Sequence, residues 1–281
     1  MAEERHYVHG TLLKEKSTTS ADLAAVYNHY KEFLENTKDL SILDEAGVKG
    51  LVSAFNDYRL AVLEPIESRK NSGQENIRSS MLEEFFCHLF IDIIKDSLEE
   101  VPDNLFLGKA NSFVDLTFSP SSFKEIFLEP NPYFHSKDQD FVLGVSLGVT
   151  IQAEEKSYSQ EIIIPVVAIE CKTYIERNML DSCSGTASRI KSAMPYCIYI
   201  VASEYMKLKD ELPELSDINE IYILCKASNS DRLKNRKDGL DPHNIDEDLI
   251  IDLFNKIKGH LNSIWWQPSR ALETGKIINR P

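Results

Sequence analysis

The sequence lacks the cysteine patterns of metal-stabilised and disulfide-rich domains. Its five cysteines are scattered through apolar segments, with no CxxC pair and no histidine at zinc-ligand spacing. A zinc or disulfide framework is therefore excluded as the basis of the fold. We expect all five cysteines to be reduced and buried, where they act as small hydrophobic side chains.

A long hydrophobic run is also missing. The longest apolar stretch, residues 162–169, is far shorter than the roughly 20 residues that cross a bilayer. The first ten residues, MAEERHYVHG, carry charge and lack the apolar segment of a signal peptide. We therefore expect a soluble, cytoplasmic protein, and its 42% hydrophobic content is ample for a conventional core.

The chain also lacks a net positive charge. The chain has 31 Lys and Arg against 45 Asp and Glu, a formal charge of −14. This balance argues against a non-specific nucleic-acid binder, because neutralising phosphates requires cations. Basic residues do cluster at 189–191 and 232–237, so one surface of an acidic protein can still be basic.

Apolar periodicity indicates helices in the first third of the chain. Helical spacing is found over residues 20–34, 47–66 and 80–98. The third helix opens with an apparent capping box, Ser80-x-x-Glu83. A polar break over residues 69–76 favours a division into an N-terminal helical region, 1–74, and a core, 75–281.

Later segments alternate between strand and helix patterns. Strands are predicted at 112–118, 140–151, 162–172, 196–202 and 221–225, and helices at 179–194 and 246–261. The run 162–172 is apolar enough for a central strand, with a bulge or a lost ladder bond at Pro165. The fold class is α/β, a mixed central sheet flanked by helices.

Three polar residues are expected to converge at the end of one hairpin. If 140–151 and 162–172 pair antiparallel, Asp140 faces Glu170 and Lys172 at roughly 5 Å. Two carboxylates suit a hard cation such as Mg²⁺, and an adjacent amine can position or deprotonate water. We predict that Asp140, Glu170 and the Cys171 carbonyl hold Mg²⁺ while Lys172 orients water for attack on a phosphodiester.

The Glu-x-Lys tripeptide alone is not specific, because it recurs at Glu154-Glu155-Lys156 in the hairpin loop. The set at Glu170 and Lys172 ends a buried strand, where charges are costly unless they pair or bind metal. A paired ionic network without chemistry is the alternative interpretation.

The series Asp140…Ile-Glu170-Cys-Lys172, followed by a helix and an apolar strand, resembles the PD-(D/E)XK nuclease core. The segments Gly108-Lys-Ala-Asn-Ser-Phe-Val-Asp115, Lys137-Asp-Gln-Asp140 and Glu170-Cys-Lys-Thr together resemble Type II restriction endonucleases of the BbvCI kind. The resemblance covers roughly residues 75 to 205. It implies Mg²⁺-dependent double-strand cleavage by a homodimer or by a heterodimer with a paralogous subunit.

Two features of the resemblance leave open which acids belong to the metal site. Gln139, not proline, precedes Asp140, so Asp115 is a rival for the role of first metal ligand. Related nucleases often add an acid from the helix before the sheet, and Glu83 and Glu84 occupy such a helix. Glu83 lies nearer the buried stripe, but it is equally interpretable as the reciprocal arm of the capping box.

Basic residues supply candidate DNA contacts. The segment 229–239, interpreted as a charged loop, holds side chains able to clamp phosphates and read base edges, namely Arg232, Lys234, Arg236 and Lys237. Arg189 and Lys191 are alternative phosphate contacts. A merely solvated loop is the competing interpretation.

Two function classes follow. The first is a sequence-specific endonuclease, or a subunit of one, acting on double-stranded DNA. The second is a catalytically silent or structural DNA-binding subunit of a nuclease complex. The intact set of Asp140, Glu170 and Lys172 favours the enzyme.

Overall fold

A computed structural model describes residues 7–69, 76–98, 100–154, 156–208, 215–263 and 268–276. Four helices come first: α1 (Val8–Ser17), α2 (Ala21–Thr37), α3 (Glu45–Glu67) and α4 (Ile77–Ser97). The predicted helices at 20–34 and 47–66 correspond to α2 and α3. Helix α1 was not predicted, because it is polar and buries few side chains. The proposed boundary at 74/75 lies outside the described residues.

The predicted start of the third helix is wrong. Helix α4 begins at Ile77 after Asn76, which adopts a left-handed conformation with φ 55°. Ser80 lies inside the first turn, and its hydroxyl donates to the Ile77 carbonyl at 3.1 Å. The Ser-x-x-Glu pattern is therefore no capping box here, because Ile77 is itself buried and extends the helix by one turn.

The described strands form one mixed sheet in the order β1-β2-β3-β4-β5. Their bounds are β1 (Leu105–Phe118), β2 (Pro132–Gln152), β3 (Ser157–Ile175), β4 (Ile198–Met206) and β5 (Glu220–Ser228). The first three strands pair antiparallel in sequence order, and β3, β4 and β5 run parallel. Further helices are α5 (Glu125–Leu128), α6 (Arg177–Ala193), α7 (Asn229–Lys237), α8 (Glu247–Leu261) and α9 (Ala271–Thr274). The predicted α/β class, a mixed sheet flanked by helices, is confirmed.

Hydrophobic side chains form two cores, one on each face of the sheet. The larger core joins α1–α4 and α8 to one face, and the smaller packs α6 against the other. The cysteines are all free and buried, as expected. No helix in the described ranges is long and apolar enough to cross a membrane.

Strand β2 starts earlier than predicted. The strand was predicted to begin at residue 140, but residues 132–139 continue the ladder with β1 as far as Pro132. Backbone pairing, rather than an apolar face, defines this part of the strand. At the other end the β2–β3 hairpin extends beyond the core, and Leu147 is 40% exposed.

Two irregularities in the sheet lie near Asp140. Two residues of β2, Asp140 and Phe141, lie opposite the single residue Lys109 of β1. On the other side, Val166 is an extra residue of β3 next to Pro165, as the proline predicted. Gly144 is required there, because a Cβ would overlap the carbonyl oxygen of Ile164. Such bulges redirect side chains, and they are common beside active sites.

Candidate active site

Asp140, Glu170 and Lys172 meet where β2 crosses β3. The register pairs Phe141 with Ile169, so Asp140 and Glu170 are the next opposing residues. The Lys172 ammonium nitrogen lies 3.2 Å from Asp140 Oδ2 and 2.7 Å from Glu170 Oε2. The backbone N–H of Cys171 donates to Asp140 Oδ2 at 2.9 Å. The predicted convergence of the three side chains is confirmed; their catalytic roles remain a prediction.

Glu83 belongs to the same group, and it brings a second lysine with it. Lys109 Nζ lies 3.4 Å from Glu83 Oε1 and 3.4 Å from Asp140 Oδ1. Glu84 points elsewhere: it accepts from the Gly10 N–H at 2.8 Å and from the Tyr30 hydroxyl. Glu83 rather than Glu84 therefore contacts the cluster, by way of Lys109.

A solvent-open cleft of about 360 Å³ adjoins these residues. Its lining includes Glu83, Lys109, Asp140, Cys171 and Lys172, together with Asn76 and Ser79 from the start of α4. The cleft gives a substrate access to the charged cluster.

Asp115, the rival of Asp140, lies in a different environment. Its carboxylate is 46% exposed and pairs with Arg189 at 3.1 Å and with His135 at 3.6 Å. Asp140, by contrast, contacts Lys172, which also contacts Glu170. The geometry thus favours Asp140 as the acid that accompanies Glu170.

The two carboxyls opposite each other differ in acidity. Burial, and then the Asp140 charge, raise the pKa of Glu170 to about 7. Burial would also raise the pKa of Asp140, but the charges of Lys172 and Lys109 and the hydrogen bonds from Glu170 and the Cys171 N–H together hold that pKa below its ordinary value. One carboxyl is therefore firmly ionised, while its neighbour titrates near neutrality.

Lys172 is held in its charged form. Burial opposes the ammonium, but Asp140 and Glu170 together raise the pKa of Lys172 above its ordinary value. An amine with a raised pKa is a poor base at neutral pH. The arrangement therefore suits Lys172 for positioning and charge stabilisation rather than for proton abstraction.

The donor set fits a divalent cation. Glu83 is only 3% exposed, and its Oε2 has no hydrogen-bond partner among the residues that the structure describes. Burial raises the pKa of this carboxyl to about 7. An orphaned carboxylate oxygen beside two further carboxylates is the hard oxygen chemistry that Mg²⁺ prefers.

Side chains alone do not complete such a site. Across the described ranges, no group of three or more His, Cys, Asp or Glu side chains is arranged to hold a metal ion. Mg²⁺ usually binds one or two carboxylates and keeps several waters or phosphate oxygens. Two carboxylates and the Cys171 carbonyl are therefore a sufficient protein contribution.

These acidities predict a pH-dependent response to metal. In the metal-free protein, Glu83 and Glu170 retain protons to about pH 7, whereas unfolded glutamate loses them near pH 4.3. Between about pH 4.3 and pH 7 the native state binds more protons than the unfolded state does. The contribution of these two groups to the free energy of unfolding therefore falls as pH rises. Because Ca²⁺ binds the ionised forms, we expect it to raise the melting temperature more at pH 8 than at pH 5.5.

The measurement is thermal denaturation at both pH values, with EDTA and with CaCl₂. The double variant Glu83→Gln, Glu170→Gln is the control, and its Ca²⁺ response should be small at both pH values. An equal Ca²⁺-induced shift for the native chain at pH 5.5 and pH 8 would contradict the assignment.

The predicted DNA-contact residues lie on two helices. Segment 229–237, predicted as a loop, is the helix α7, which opens with a capping box between Ser228 and Asp231. Arg189, on α6, pairs with Asp115, and Lys191, on the same helix, is half-buried.

On α7 the basic residues divide into two pairs. Arg232 and Arg236 both pair with Glu67, whereas Lys234 and Lys237 are exposed. Their contact with DNA remains a prediction.

Lys109 is the residue that the sequence analysis missed. It lies inside Gly108-Lys-Ala-Asn-Ser-Phe-Val-Asp115, yet no spacing rule assigns it to the site. The sequence analysis predicted this strand only from residue 112, whereas β1 begins at Leu105 and pairs with β2. Position 109 was therefore not placed level with Asp140.

Comparison with known proteins gives a family and a similar fold. The model of a family described as Bpu10I restriction endonuclease matches residues 74–277. A solved structure described as the native BbvCI A2B2 tetramer at low resolution is similar, with a TM-score of 0.66 and 18% identity. That match covers 92% of this chain and 97% of the other. No curated protein matches.

Proposed function

Because the chain belongs to the Bpu10I restriction endonuclease family, we propose that it hydrolyses phosphodiester bonds of double-stranded DNA at a specific sequence, with Mg²⁺ as its cofactor. One observation carries this proposal. Lys172 contacts both Asp140 and Glu170 at the edge of an open cleft, which is the arrangement of acids and amine that metal-assisted hydrolysis requires.

Each side chain has a part in the proposed reaction. Asp140, Glu170 and the Cys171 carbonyl would hold the metal ion, and Glu83 would lie beside them through its contact with Lys109. The bound ion supplies Lewis-acid stabilisation of charge on the scissile phosphate. Lys172 orients the attacking water through its ammonium hydrogens, and no covalent enzyme intermediate is needed.

Three contacts hold Asp140 in position. Its Oδ2 accepts from the Cys171 N–H and from Lys172, and its Oδ1 lies near Lys109. A carboxylate fixed in this way loses little rotamer freedom when it binds metal, which is the preorganisation that precise catalysis depends on. Lys109 is a positioning residue in this scheme.

The proposed DNA surface combines cations of two helices, Arg189 and Lys191 of α6 and Arg232, Lys234, Arg236 and Lys237 of α7. Their positive charge offsets the overall −14 locally. For assembly, we propose pairing with a second copy or with a paralogous subunit. The similar BbvCI structure is described as an A2B2 tetramer, which is consistent with such pairing.

Plasmid cleavage tests the proposal. The purified protein, alone and with candidate partner subunits, is incubated with plasmid DNA and either Mg²⁺ or Ca²⁺. We expect discrete bands with Mg²⁺ and duplex binding without cleavage with Ca²⁺, because Ca²⁺ accepts looser oxygen geometry and activates water less well. Robust cleavage in Ca²⁺ alone would contradict the proposed metal role, and binding without any Mg²⁺-dependent cleavage would favour a silent DNA-binding subunit.

A further inference from the structure

A group of buried arginines lies outside the candidate active site. It contains four guanidinium groups and two carboxylates, an excess of two positive charges in a chain of net charge −14. Its members are Arg59, Arg78, Arg232, Arg236, Glu67 and Glu204. We call these six residues the arginine cluster.

The inner layer of the cluster is a closed ion-pair network. Glu204, 3% exposed, lies 2.6 Å from Arg59 Nη2 and 2.6 Å from Arg78 Nη1. Arg59 also donates to the His243 carbonyl at 3.0 Å. Every charge in this layer has a partner of the opposite sign at hydrogen-bond distance, so the inner layer is structural.

The outer layer is less balanced. One carboxylate, Glu67, receives three guanidiniums: Arg78 at 3.1 Å, Arg232 at 2.8 Å and Arg236 at 3.2 Å. Glu67 is near the surface, with 12% of its side chain exposed, and Arg236 is 45% exposed. A cavity of about 220 Å³ adjoins Glu67 and the three arginines, and the carboxylates of Glu64 and Asp241 also line it. Another anion can reach the outer layer through this cavity.

Helix α7, which carries Arg232 and Arg236, is held mainly by polar contacts. None of its side chains is buried, and its Leu233 is exposed. The Arg232 guanidinium lies over the Tyr205 ring, 5.7 Å from the centroid. Because no apolar face anchors α7, its position depends on the Glu67 ion pairs and can adjust when Glu67 is displaced.

The outer layer lies next to the candidate active site. Arg78 belongs to the first turn of α4, as does Ser79, which lines the catalytic cleft. Tyr205, beneath Arg232, pairs in the sheet with Tyr174 of the same cleft. The arginines therefore adjoin residues that line the cleft at Asp140 and Lys172.

We propose that Arg78, Arg232 and Arg236 form a binding site for a phosphate of the DNA backbone, which Glu67 occupies until DNA displaces it. The inference rests on the proposed function. Guanidinium groups bind carboxylate and phosphate oxygens in the same forked geometry. A phosphodiester carries the same single charge as Glu67, so exchange of one for the other leaves the charge balance around the three arginines unchanged.

Displacement makes Glu67 a competitor of DNA. Each binding event has to break its ion pairs, and this cost lowers the affinity of the protein for any duplex. A cognate site, with its additional base contacts, overcomes the cost more readily than a random sequence. Glu67 thus acts against non-specific binding.

The test compares Glu67→Gln with Glu64→Gln. Glu64 lies one helical turn earlier on α3, is exposed and lines the same cavity, but the cluster's ion pairs do not include it. The control therefore removes the same charge at the cavity and leaves the Glu67 contacts intact. Affinity for a labelled non-cognate duplex is measured in Ca²⁺ by fluorescence anisotropy. We expect Glu67→Gln to bind roughly tenfold more tightly than the native chain, a change of about 1.4 kcal/mol, and Glu64→Gln to bind within about twofold.

Two further variants test whether the arginines cause the tighter binding expected of Glu67→Gln. Arg232→Gln should weaken duplex binding and, combined with Glu67→Gln, should remove most of the gain. The two changes are then non-additive, as expected for groups in contact. Equal affinities of Glu67→Gln and Glu64→Gln, or weaker binding by Glu67→Gln, would overturn the proposal.

Inorganic phosphate separates a DNA site from a general anion site. If phosphate stabilises Glu67→Gln against heat while its duplex affinity equals that of the native chain, the arginines bind free anions away from the DNA path and the proposal is wrong.

Should Glu67→Gln fail to fold, Arg236→Gln replaces it. We then expect weaker duplex binding, and unchanged binding would contradict the proposal. A native chain that binds no duplex at all would overturn the proposed function as well, whereas native binding with no effect of Glu67 overturns this inference alone.

Discussion

Lys172→Ala is expected to lower the single-turnover rate of DNA cleavage by about 10² to 10³-fold, the usual loss when one preorganised group that stabilises developing charge is removed. The ammonium lies 2.7 Å from Glu170 and 3.2 Å from Asp140, so alanine removes the cation that holds both acids. Rates are measured at saturating enzyme with Mg²⁺. Duplex affinity in Ca²⁺ should change far less than the rate, because the loss is in the chemical step.

The chain contains a matched control for this variant. Lys156 ends the other Glu-x-Lys sequence, in the hairpin loop, and pairs with Glu129 at 2.6 Å. Lys156→Ala removes the same side chain from the same tripeptide, and we expect its cleavage rate to stay within about twofold of the native rate. A large loss in Lys156→Ala, or native cleavage by Lys172→Ala, would move the catalytic centre away from β3.

Asp140→Asn is expected to have an effect of similar size, roughly 10³-fold on the cleavage rate. The amide keeps an oxygen that can accept from the Cys171 N–H, so the fold around β2 should persist. It removes the negative charge that lies between Lys109 and Lys172. Higher Mg²⁺ concentrations should then be needed for half-maximal cleavage, and this shift separates a metal ligand from a residue with only a structural role.

Asp115→Asn is the counterpart that decides between the two candidate acids. Asp115 pairs with Arg189 and His135 outside the cleft. We expect the variant to keep its rate at saturating enzyme and its Mg²⁺ requirement, even if affinity for DNA changes. Loss of cleavage in Asp115→Asn with native behaviour in Asp140→Asn would reverse the assignment.

The sequence was informative for β2 and β3, where the local pattern of residues also constrains how the two strands pair. Strict alternation over 140–151 and an apolar run over 162–172, joined by a short polar loop, leave little freedom in register. Asp140 therefore had to meet Glu170 and Lys172. Proline at position 165 likewise marked a bulge, because it cannot donate to the ladder.

Features set by tertiary contacts were not predictable in the same way. The charges of 229–237 matched a solvated loop, but the capping box of Ser228 and Asp231 and the pairing of Arg232 with Glu67, 165 residues earlier, support a helix. Lys109 joins the site because a bulge places it opposite Asp140. Neither contact leaves a periodic signal in the chain.

The central claim is that the acids of β2 and β3 share one divalent ion at the cleft. Anomalous diffraction from crystals of the protein soaked in Mn²⁺ tests it most directly, since the ion is located without reference to activity. We expect one anomalous Mn²⁺ peak within roughly 2.1 Å of carboxylate oxygens of both Asp140 and Glu170, with Lys172 beside it. A Mn²⁺ peak elsewhere, or none at saturating Mn²⁺ and pH 8, would contradict it.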